Sequence, residues 1–210
     1  MNSSNVMAEA LPSVCIVFSG KRKSGKDYTV SRLSEIFDNN DITYSIARIS
    51  EPIKSYFAQQ YSLNLSELLS SNSYKENYRK QMIDWVEEEI KRDCYVFPRK
   101  ALSECIGKCK QRKCDVIIVS DARRMNDIEF FIDTFTRSKC LLIRITSPVG
   151  IRIKRGWSYV DGIDNVASEC GLDECTDWDL VLQNDGNEVA YENYLNDIVS
   201  CVKKILSASL

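Results

Sequence analysis

One short segment limits the possible folds of this chain more than any other: Gly20-Lys21-Arg22-Lys23-Ser24-Gly25-Lys26-Asp27. It follows an apolar, β-branched run at residues 14–18 and precedes a helical pattern at residues 27–37. Two glycines five positions apart, with a lysine directly after the second, have the spacing of a phosphate-binding loop between a strand and a helix. Such glycines let backbone N–H groups point at phosphate oxygens, and Lys26 would reach the β- and γ-phosphates. The segment therefore predicts ATP binding.

Two acidic residues are candidates for holding Mg²⁺ beside the nucleotide. Asp27 stands where the Ser or Thr that ligates magnesium is usual, and its carboxylate can bind the metal, bind one of its waters, or cap the helix. Ser120-Asp121 closes the apolar run at residues 116–119, where proteins with this loop place a second metal-directed acid. Capping of a turn is the alternative for Asp121. We predict ATP and Mg²⁺ as cofactors.

The rest of the chain alternates short apolar runs with helical patterns. Further strands are predicted at residues 44–49, 116–119, 141–145 and 180–182, and further helices at residues 74–91, 127–135 and 191–206. This alternation predicts an α/β fold with three αβα layers around a five-stranded parallel sheet.

The domain organisation follows from where strands are missing. Residues 51–100 have a helical pattern and no strand signal, so we expect a helical acceptor-binding region there. Residues 150–173 contain an aperiodic, glycine-bearing segment from Gly156 to Asp173, which predicts a lid over this range. Residues 1–12 are expected to form a disordered tail, and residues 13–210 a single domain.

Charge and composition exclude several classes of function. The 28 basic and 30 acidic residues leave a net charge of −2, which argues against binding nucleic acid or membrane surfaces through bulk charge. The chain has no histidine, so no imidazole base can act. Its nine cysteines lack the paired spacing of a zinc site, which predicts free, buried thiols and a cytoplasmic location.

Basic residues cluster where a second phosphate would lie. Arg123 and Arg124 follow the third strand, and loops after parallel strands surround the ligand in α/β folds. Lys75 and Arg79 are spaced i, i+4 on one helix face, which suits an anionic ligand, with a solvated face as the alternative.

The loop itself carries more charge than one nucleotide needs, because Lys21, Arg22 and Lys23 add to Lys26. This excess favours a phosphorylated acceptor, which is largely ionised near neutral pH and needs no strong general base. A hydroxyl acceptor activated by Asp27 or Asp121 remains open.

Phe18-Ser19-Gly20-Lys21-Arg22-Lys23-Ser24-Gly25-Lys26-Asp27 resembles the loop of animal phosphomevalonate kinases, including the aspartate after the lysine. Similar segments follow in the same order along nearly the whole chain: Tyr74-Lys75-Glu76, Arg79-Lys80, Ser120-Asp121, Arg123-Arg124, Arg155-Gly156-Trp157 and Glu169-Cys170-Gly171-Leu172-Asp173.

The resemblance implies a fold similar to nucleoside monophosphate kinases and transfer of the γ-phosphoryl group of ATP to (R)-5-phosphomevalonate in isoprenoid and sterol synthesis. By matching position it implies acceptor binding by Lys75, Arg79, Arg99, Arg123 and Arg124. It implies that ATP phosphates or the transition state are met by Arg144, Arg152 and Arg155, and that Asn184 lies near adenine. The residues expected to act in catalysis are Lys23, Lys26, Arg123 and Arg155.

Other functions also fit the loop. A small P-loop kinase of a nucleotide or coenzyme precursor would share it, and so would a module that binds ATP without turnover. We expect a monomer that acts on a small molecule, without nucleic acid or membrane partners, in the cytoplasm. The C-terminal Ala208-Ser209-Leu210 is similar to a peroxisomal signal but lacks its basic middle residue, so peroxisomal location is the alternative.

Overall fold

A five-stranded parallel sheet organises the chain. The computed structural model describes residues 11–70, 73–109 and 114–208. The strands are β1 (Val14–Ser19), β2 (Tyr44–Ala47), β3 (Val116–Ala122), β4 (Cys140–Thr146) and β5 (Leu180–Gln183). They lie in the order β2-β3-β1-β4-β5, and every neighbouring pair is parallel. All five predicted strands and the parallel sheet are confirmed.

The second strand is shorter than its apolar pattern predicted. β2 ends at Ala47, two residues before the expected end at Ile49. The Asp121 carboxylate accepts the backbone N–H groups of Ile49 and Ser50 at 2.7 and 3.1 Å. The chain turns into a helix here and does not continue as a strand. The carboxylate satisfies N–H groups that are unpaired at a helix N-terminus.

Helices connect the strands and cover the sheet. They are α1 (Lys26–Asp38), α2 (Ser50–Tyr61), α3 (Leu65–Leu69), α4 (Ser73–Arg92), α5 (Val96–Cys109), α6 (Met125–Phe135), α7 (Val149–Lys154), α8 (Ala167–Cys170) and α9 (Glu188–Ala208). The four helices predicted from periodicity correspond to α1, α4, α6 and α9.

Strand periodicity separates the core into two layers. On β1, Val14, Ile16 and Phe18 pack with α1 and α9, whereas Cys15 and Val17 pack with α5 and α6 on the other face. All five side chains are fully buried. Burial of each large apolar side chain contributes about 1.5–3 kcal/mol, so both faces must be covered for the sheet to be stable. The predicted three-layer αβα architecture is confirmed.

The range 51–100 is occupied by α2, α3, α4 and the start of α5. A separate small core of Phe57, Leu68 and Met82 joins the first three of these helices. The role of residues 51–100 in binding an acceptor stays a prediction, and so does the role of residues 150–173 as a lid. The predicted tail at residues 1–12 lies mostly outside the described residues, as do positions 209–210 of the C-terminal tripeptide.

All nine cysteines are free thiols, as predicted. Burial was predicted for all of them, but only Cys15, Cys105 and Cys140 are buried and Cys94 is exposed. The difference follows from placement, since the three buried thiols belong to the core between the sheet and α5 and α6. In the described residues, no helix combines the length and apolar character needed to cross a bilayer.

Candidate active site

The loop between β1 and α1 has the backbone shape that phosphate binding needs. Gly20 and Gly25 have φ angles of +154° and +102°, which residues with a Cβ rarely adopt. A Cβ on Gly20 would meet the carbonyl oxygen of Ile145, and one on Gly25 would meet the amide of Asn184. Within the described part of the chain, the buried Ser24 Oγ has no hydrogen-bond partner. The turn is therefore enclosed by its neighbours and holds a polar group free for an anion.

Lys26 is the buried cation of this loop. Its ammonium donates to the carbonyl oxygen of Gly20 and, at 3.1 Å, to that of Lys21. The residue is only 8% exposed. Burial, and to a smaller extent the charge of the nearby Arg123, lower the pKa of Lys26 to about 7. Carbonyl oxygens do not neutralise the charge, so a phosphate beside the ammonium would restore its protonated form.

Two carboxylates of the predicted lid (residues 150–173) pair with basic side chains of the site. Asp173 accepts from Lys21 at 2.5 Å and from Arg144 at 2.8 Å. Asp164, which is buried, accepts from Arg22 at 2.9 Å. The sequence-predicted cations of the loop are therefore brought together with Arg144, and the predicted lid lies directly against them.

A third carboxylate of the predicted lid reaches the loop backbone. Glu169 accepts the backbone N–H of Arg22 and also pairs with the guanidinium of Arg123. Arg123 follows β3, so this single side chain connects the phosphate-binding loop to the end of a neighbouring strand.

Arg155 and Asn184 hold the second half of the loop. Arg155 donates to the carbonyl oxygen of Ser24 at 3.2 Å and to the Asn184 side-chain oxygen at 2.8 Å. The Asn184 amide donates to the same Ser24 carbonyl at 3.1 Å. Both residues therefore contact the loop, whereas the predicted roles of Arg155 at the ATP phosphates and of Asn184 near adenine stay predictions. Lys23, predicted to act in catalysis, is exposed and has a φ angle of +61°.

Arg152 holds the first half of the loop. Its Nε donates to the carbonyl oxygen of Arg22 at 2.8 Å, and its guanidinium stacks on the Trp157 ring at 4.1 Å. Arg152 is buried, and this burial lowers its pKa. The stack fixes the guanidinium beside the loop, since a planar cation on an indole face is held in orientation as well as in position.

The helices α2 and α4 bring a second group of cations towards the loop. Burial, and to a smaller extent the like charges of Lys54 and Arg79, lower the pKa of Lys75 to about 8. Burial also lowers the pKa of Lys54. Arg79 pairs with Glu76 one turn away at 2.5 Å. The charge of Arg22, a loop residue, also lowers the pKa of Lys75. The ion pair between Glu87 and Arg124 attaches α4 to the segment after β3.

The arginine pair after β3 divides between two partners. Asp127, buried in the first turn of α6, accepts the backbone N–H groups of both Arg123 and Arg124 at 2.8 and 3.0 Å. The Arg124 side chain pairs with Glu87 of α4 at 2.6 Å, whereas the Arg123 side chain pairs with Glu169.

Arg99, the remaining predicted acceptor residue, pairs with Asp93 at 2.6 Å on the surface. The half-exposed Arg99 guanidinium has its pKa raised by this carboxylate. The structure gives no contact between this pair and the loop, within the ranges it describes, so the acceptor role of Arg99 stays a prediction.

Comparison with known proteins agrees with this geometry. The sequence model of the family "Phosphomevalonate kinase" matches residues 18–137, more than half of the chain. A protein named phosphomevalonate kinase from Drosophila melanogaster is 42% identical over 171 residues, which cover 81% of this chain and 87% of the fly protein. The chain belongs to the phosphomevalonate kinase family. The predicted family, kinase function and enzyme class are confirmed.

One solved structure agrees with the fold. TT1252 from Thermus thermophilus aligns over 90% of this chain and 98% of its own, with a TM-score of 0.54 and 14% identity. A shikimate kinase from Acinetobacter baumannii, solved with shikimate, aligns over 96% of this chain and 97% of its own, with a TM-score of 0.43 and 13% identity. Family membership, the parallel sheet and the glycine-bounded loop together establish the P-loop kinase fold.

The acids predicted to hold magnesium suit that ion when ATP supplies further oxygens. Asp27 is exposed in the first turn of α1, and Asp121 lies near the end of β3. Both raise the pKa of Lys26, so both carboxylates act on the same buried ammonium. Among the described residues, no cluster of three or more acids, cysteines or histidines could hold a metal alone. One or two carboxylates plus phosphate oxygens is a usual magnesium site.

Five residues of this family member's site were not predicted to be functional by the sequence analysis. Asp164, Glu169 and Asp173 pair with predicted cations, Asp127 accepts the backbone N–H groups of two of them, and Lys54 adds a cation of its own. A signal existed for Lys54, which lies in the first helical segment after β2, on the side of the sheet where ligands bind. The contacts of Asp164 and Glu169 with Arg22 join positions more than 140 apart, so they depend on the tertiary fold.

Proposed function

We propose that the chain transfers the γ-phosphoryl group of ATP to the phosphate group of (R)-5-phosphomevalonate, giving (R)-5-diphosphomevalonate and ADP, in the mevalonate route to isoprenoids and sterols. The observation that carries this proposal is the meeting of two cation groups. Lys26 and the loop form one group, and Lys54, Lys75 and Arg79 form the other. Asp121 raises the pKa of both Lys26 and Lys54, and its carboxylate accepts the backbone N–H of Ser50 at the start of α2. An uncharged acceptor would give no reason for the second group.

On the ATP side, the loop N–H groups and the Ser24 hydroxyl bind β- and γ-phosphate oxygens. Lys26 neutralises the charge that grows on the bridging oxygen as its bond to the γ-phosphorus breaks. Arg155 and Asn184 keep the Ser24 carbonyl turned away from the phosphates, since both donate to it. Arg144 and Arg152 add positive charge around the same loop.

On the acceptor side, Lys75, Arg79 and Arg123 bind the phosphate of phosphomevalonate and bring one of its oxygens in line with the γ-phosphorus. That oxygen is already ionised near neutral pH, because the second pKa of such a phosphate is about 6. No side chain has to remove a proton. This suits a chain without histidine, in which positioning and charge neutralisation supply the catalysis.

Asp27 and Asp121 would hold Mg²⁺, directly or through water. When bound, the ion neutralises negative charge on the β- and γ-phosphate oxygens. The Asp121 oxygens already accept two backbone N–H groups, which fixes the carboxylate and leaves its other lone pairs for a metal-bound water.

A coupled assay of ADP release tests the proposal. Purified full-length chain would receive MgATP with phosphomevalonate, mevalonate, or nucleoside monophosphates in separate reactions. We expect transfer to phosphomevalonate with kcat/KM at least about 100-fold above every other acceptor, as a site with paired charges discriminates. Equal or higher activity with a nucleoside monophosphate would favour the alternative function, that of a small P-loop kinase acting on a nucleotide. Tight ATP binding without any transfer would favour a binding module.

The nine free thiols support our proposal of a cytoplasmic location. A monomer and the absence of nucleic-acid partners stay predictions.

A further inference from the structure

Glu169 lies at the junction of the two cation groups. It accepts the backbone N–H of Arg22, a donor of the phosphate-binding loop, and it pairs with the guanidinium of Arg123 on the acceptor side. Its side chain is only 5% exposed, against 25% for that of Arg123. A single carboxylate therefore bridges the ATP loop and the acceptor arginine.

These partners are the donors that a phosphate would use. A backbone N–H has one hydrogen to donate, and a carboxylate oxygen resembles a phosphate oxygen in charge and in the hydrogen bonds it accepts. Arg22 N–H cannot donate fully to Glu169 and to a phosphate oxygen at once. Phosphate binding at this point thus competes with Glu169.

The backbone around Glu169 is packed closely enough to make this contact specific. Glu169 lies in the single-turn helix α8, and Gly171 follows directly. A Cβ on Gly171 would come within 3.2 Å of the Arg123 carbonyl oxygen and would collide with the carbonyl oxygen of Ala167. This segment therefore rests against the Arg123 backbone itself. Asp164 and Asp173, on either side, attach the same segment to Arg22 and Lys21.

We infer that Glu169 is an internal substitute for phosphate, which occupies the junction in the ligand-free chain and must be displaced when phosphates bind. The inference rests on the proposed function of the loop as the ATP site. The contact keeps Arg123 and the loop paired when no ligand is present, because a partly buried cation left without a partner is costly. It also reduces the apparent affinity for phosphate, since part of the protein is always in the occupied state.

Calorimetric titration of the full-length chain with inorganic pyrophosphate tests this inference. Glu169→Gln removes the competing charge and keeps the size, so we expect pyrophosphate to bind roughly tenfold more tightly than to wild type. Glu169→Asp keeps the charge but shortens the reach by one methylene, and should give a smaller gain. Glu174→Gln is the matched control, because Glu174 is an exposed acid close to Glu169 in the sequence. The affinity of this variant for pyrophosphate should equal that of wild type.

Unchanged or weaker pyrophosphate binding by Glu169→Gln would overturn the inference, the weaker result showing that Glu169 orients the cations instead of competing with phosphate. An equal gain for Glu174→Gln would also overturn it, because the effect would then be one of general charge. If Glu169→Gln does not fold, Glu169→Asp decides in the same way. Wild-type transfer to phosphomevalonate, measured separately, shows whether the proposed function stands when this inference fails.

Discussion

The two sides of the site hold their cations in different ways. On the loop side, Lys26 is buried under backbone carbonyls, and Lys21 pairs with Asp173, 152 positions along the chain. On the acceptor side, Arg79 pairs with Glu76 one turn away, and Lys54 lowers the pKa of Lys75. The loop side is thus fixed by the tertiary fold. The proposed acceptor side is a group of like charges, which a bound anion would stabilise.

We expect the largest effect, a loss of kcat, from replacing Lys26 on the loop side. Lys26→Met should lower kcat by roughly a thousandfold, because the ammonium acts on charge that develops during transfer. The fold should survive, since methionine fills a similar buried volume, and circular dichroism would check this. Lys203→Met, at an exposed lysine that contacts Asn40, is the control and should keep wild-type kcat. A kcat within about threefold of wild type for Lys26→Met would contradict a loop side built for charge neutralisation.

Arg123 tests the link between the two sides. Arg123→Ala should raise the KM for phosphomevalonate by about 10- to 100-fold, which corresponds to the loss of one charged hydrogen bond. The KM for ATP should change much less. Arg92→Ala removes an exposed arginine of α4 that pairs with Glu89, and it should leave both constants unchanged. Steady-state kinetics with each substrate varied would show an error in the assignment if ATP were the substrate more affected.

The pH dependence separates the two lysines. Lys75 has a pKa of about 8, so it loses its charge as the pH rises through that value, and kcat/KM for phosphomevalonate should fall above pH 8 by up to about tenfold per pH unit. Lys75→Arg should remove this break, because a guanidinium stays protonated. Lys26 has a pKa of about 7, so it loses its charge one pH unit below Lys75. The affinity for ATP should therefore fall as the pH rises above 7. A break near pH 8 that persists in Lys75→Arg would assign it to another group.

The smallest expected effect concerns the support behind the loop side. The buried Tyr191 of α9 donates to Thr29 Oγ1 in α1 at 2.8 Å. Tyr191→Phe should reduce the free energy of unfolding by about 1 kcal/mol, the usual net value of one hydrogen bond. Urea denaturation would measure it, with Tyr159→Phe, at an exposed tyrosine of residues 150–173, as the control. An equally large loss in the free energy of unfolding for Tyr159→Phe would show that the hydrogen bond between α9 and α1 makes no special contribution to stability.

The sheet and the loop could be predicted from sequence because their signals are local. Five apolar runs and the glycine spacing of Gly20 and Gly25 determine strands, a turn and a helix without knowledge of distant residues. The early end of β2 could not be predicted, because it depends on Asp121, which is 72 positions from Ile49. The burial of the cysteines was overestimated because composition does not show which face of the fold a thiol joins.

The site was predictable in its cations and not in its anions. The family resemblance implied a role at the phosphates for Arg155, and the structure places that residue on the loop. Asp164 and Glu169 look like ordinary surface acids in the sequence, yet both are buried against the loop. Only folding, which brings positions 22 and 169 together, reveals that role.

A crystal structure with a non-hydrolysable ATP analogue, Mg²⁺ and phosphomevalonate would test the central claim most directly. We predict that the β- and γ-phosphates lie inside the turn from Gly20 to Lys26, with the acceptor phosphate between Arg123 and Lys75. An acceptor phosphate bound away from both cations, or a nucleotide outside the turn, would contradict the account.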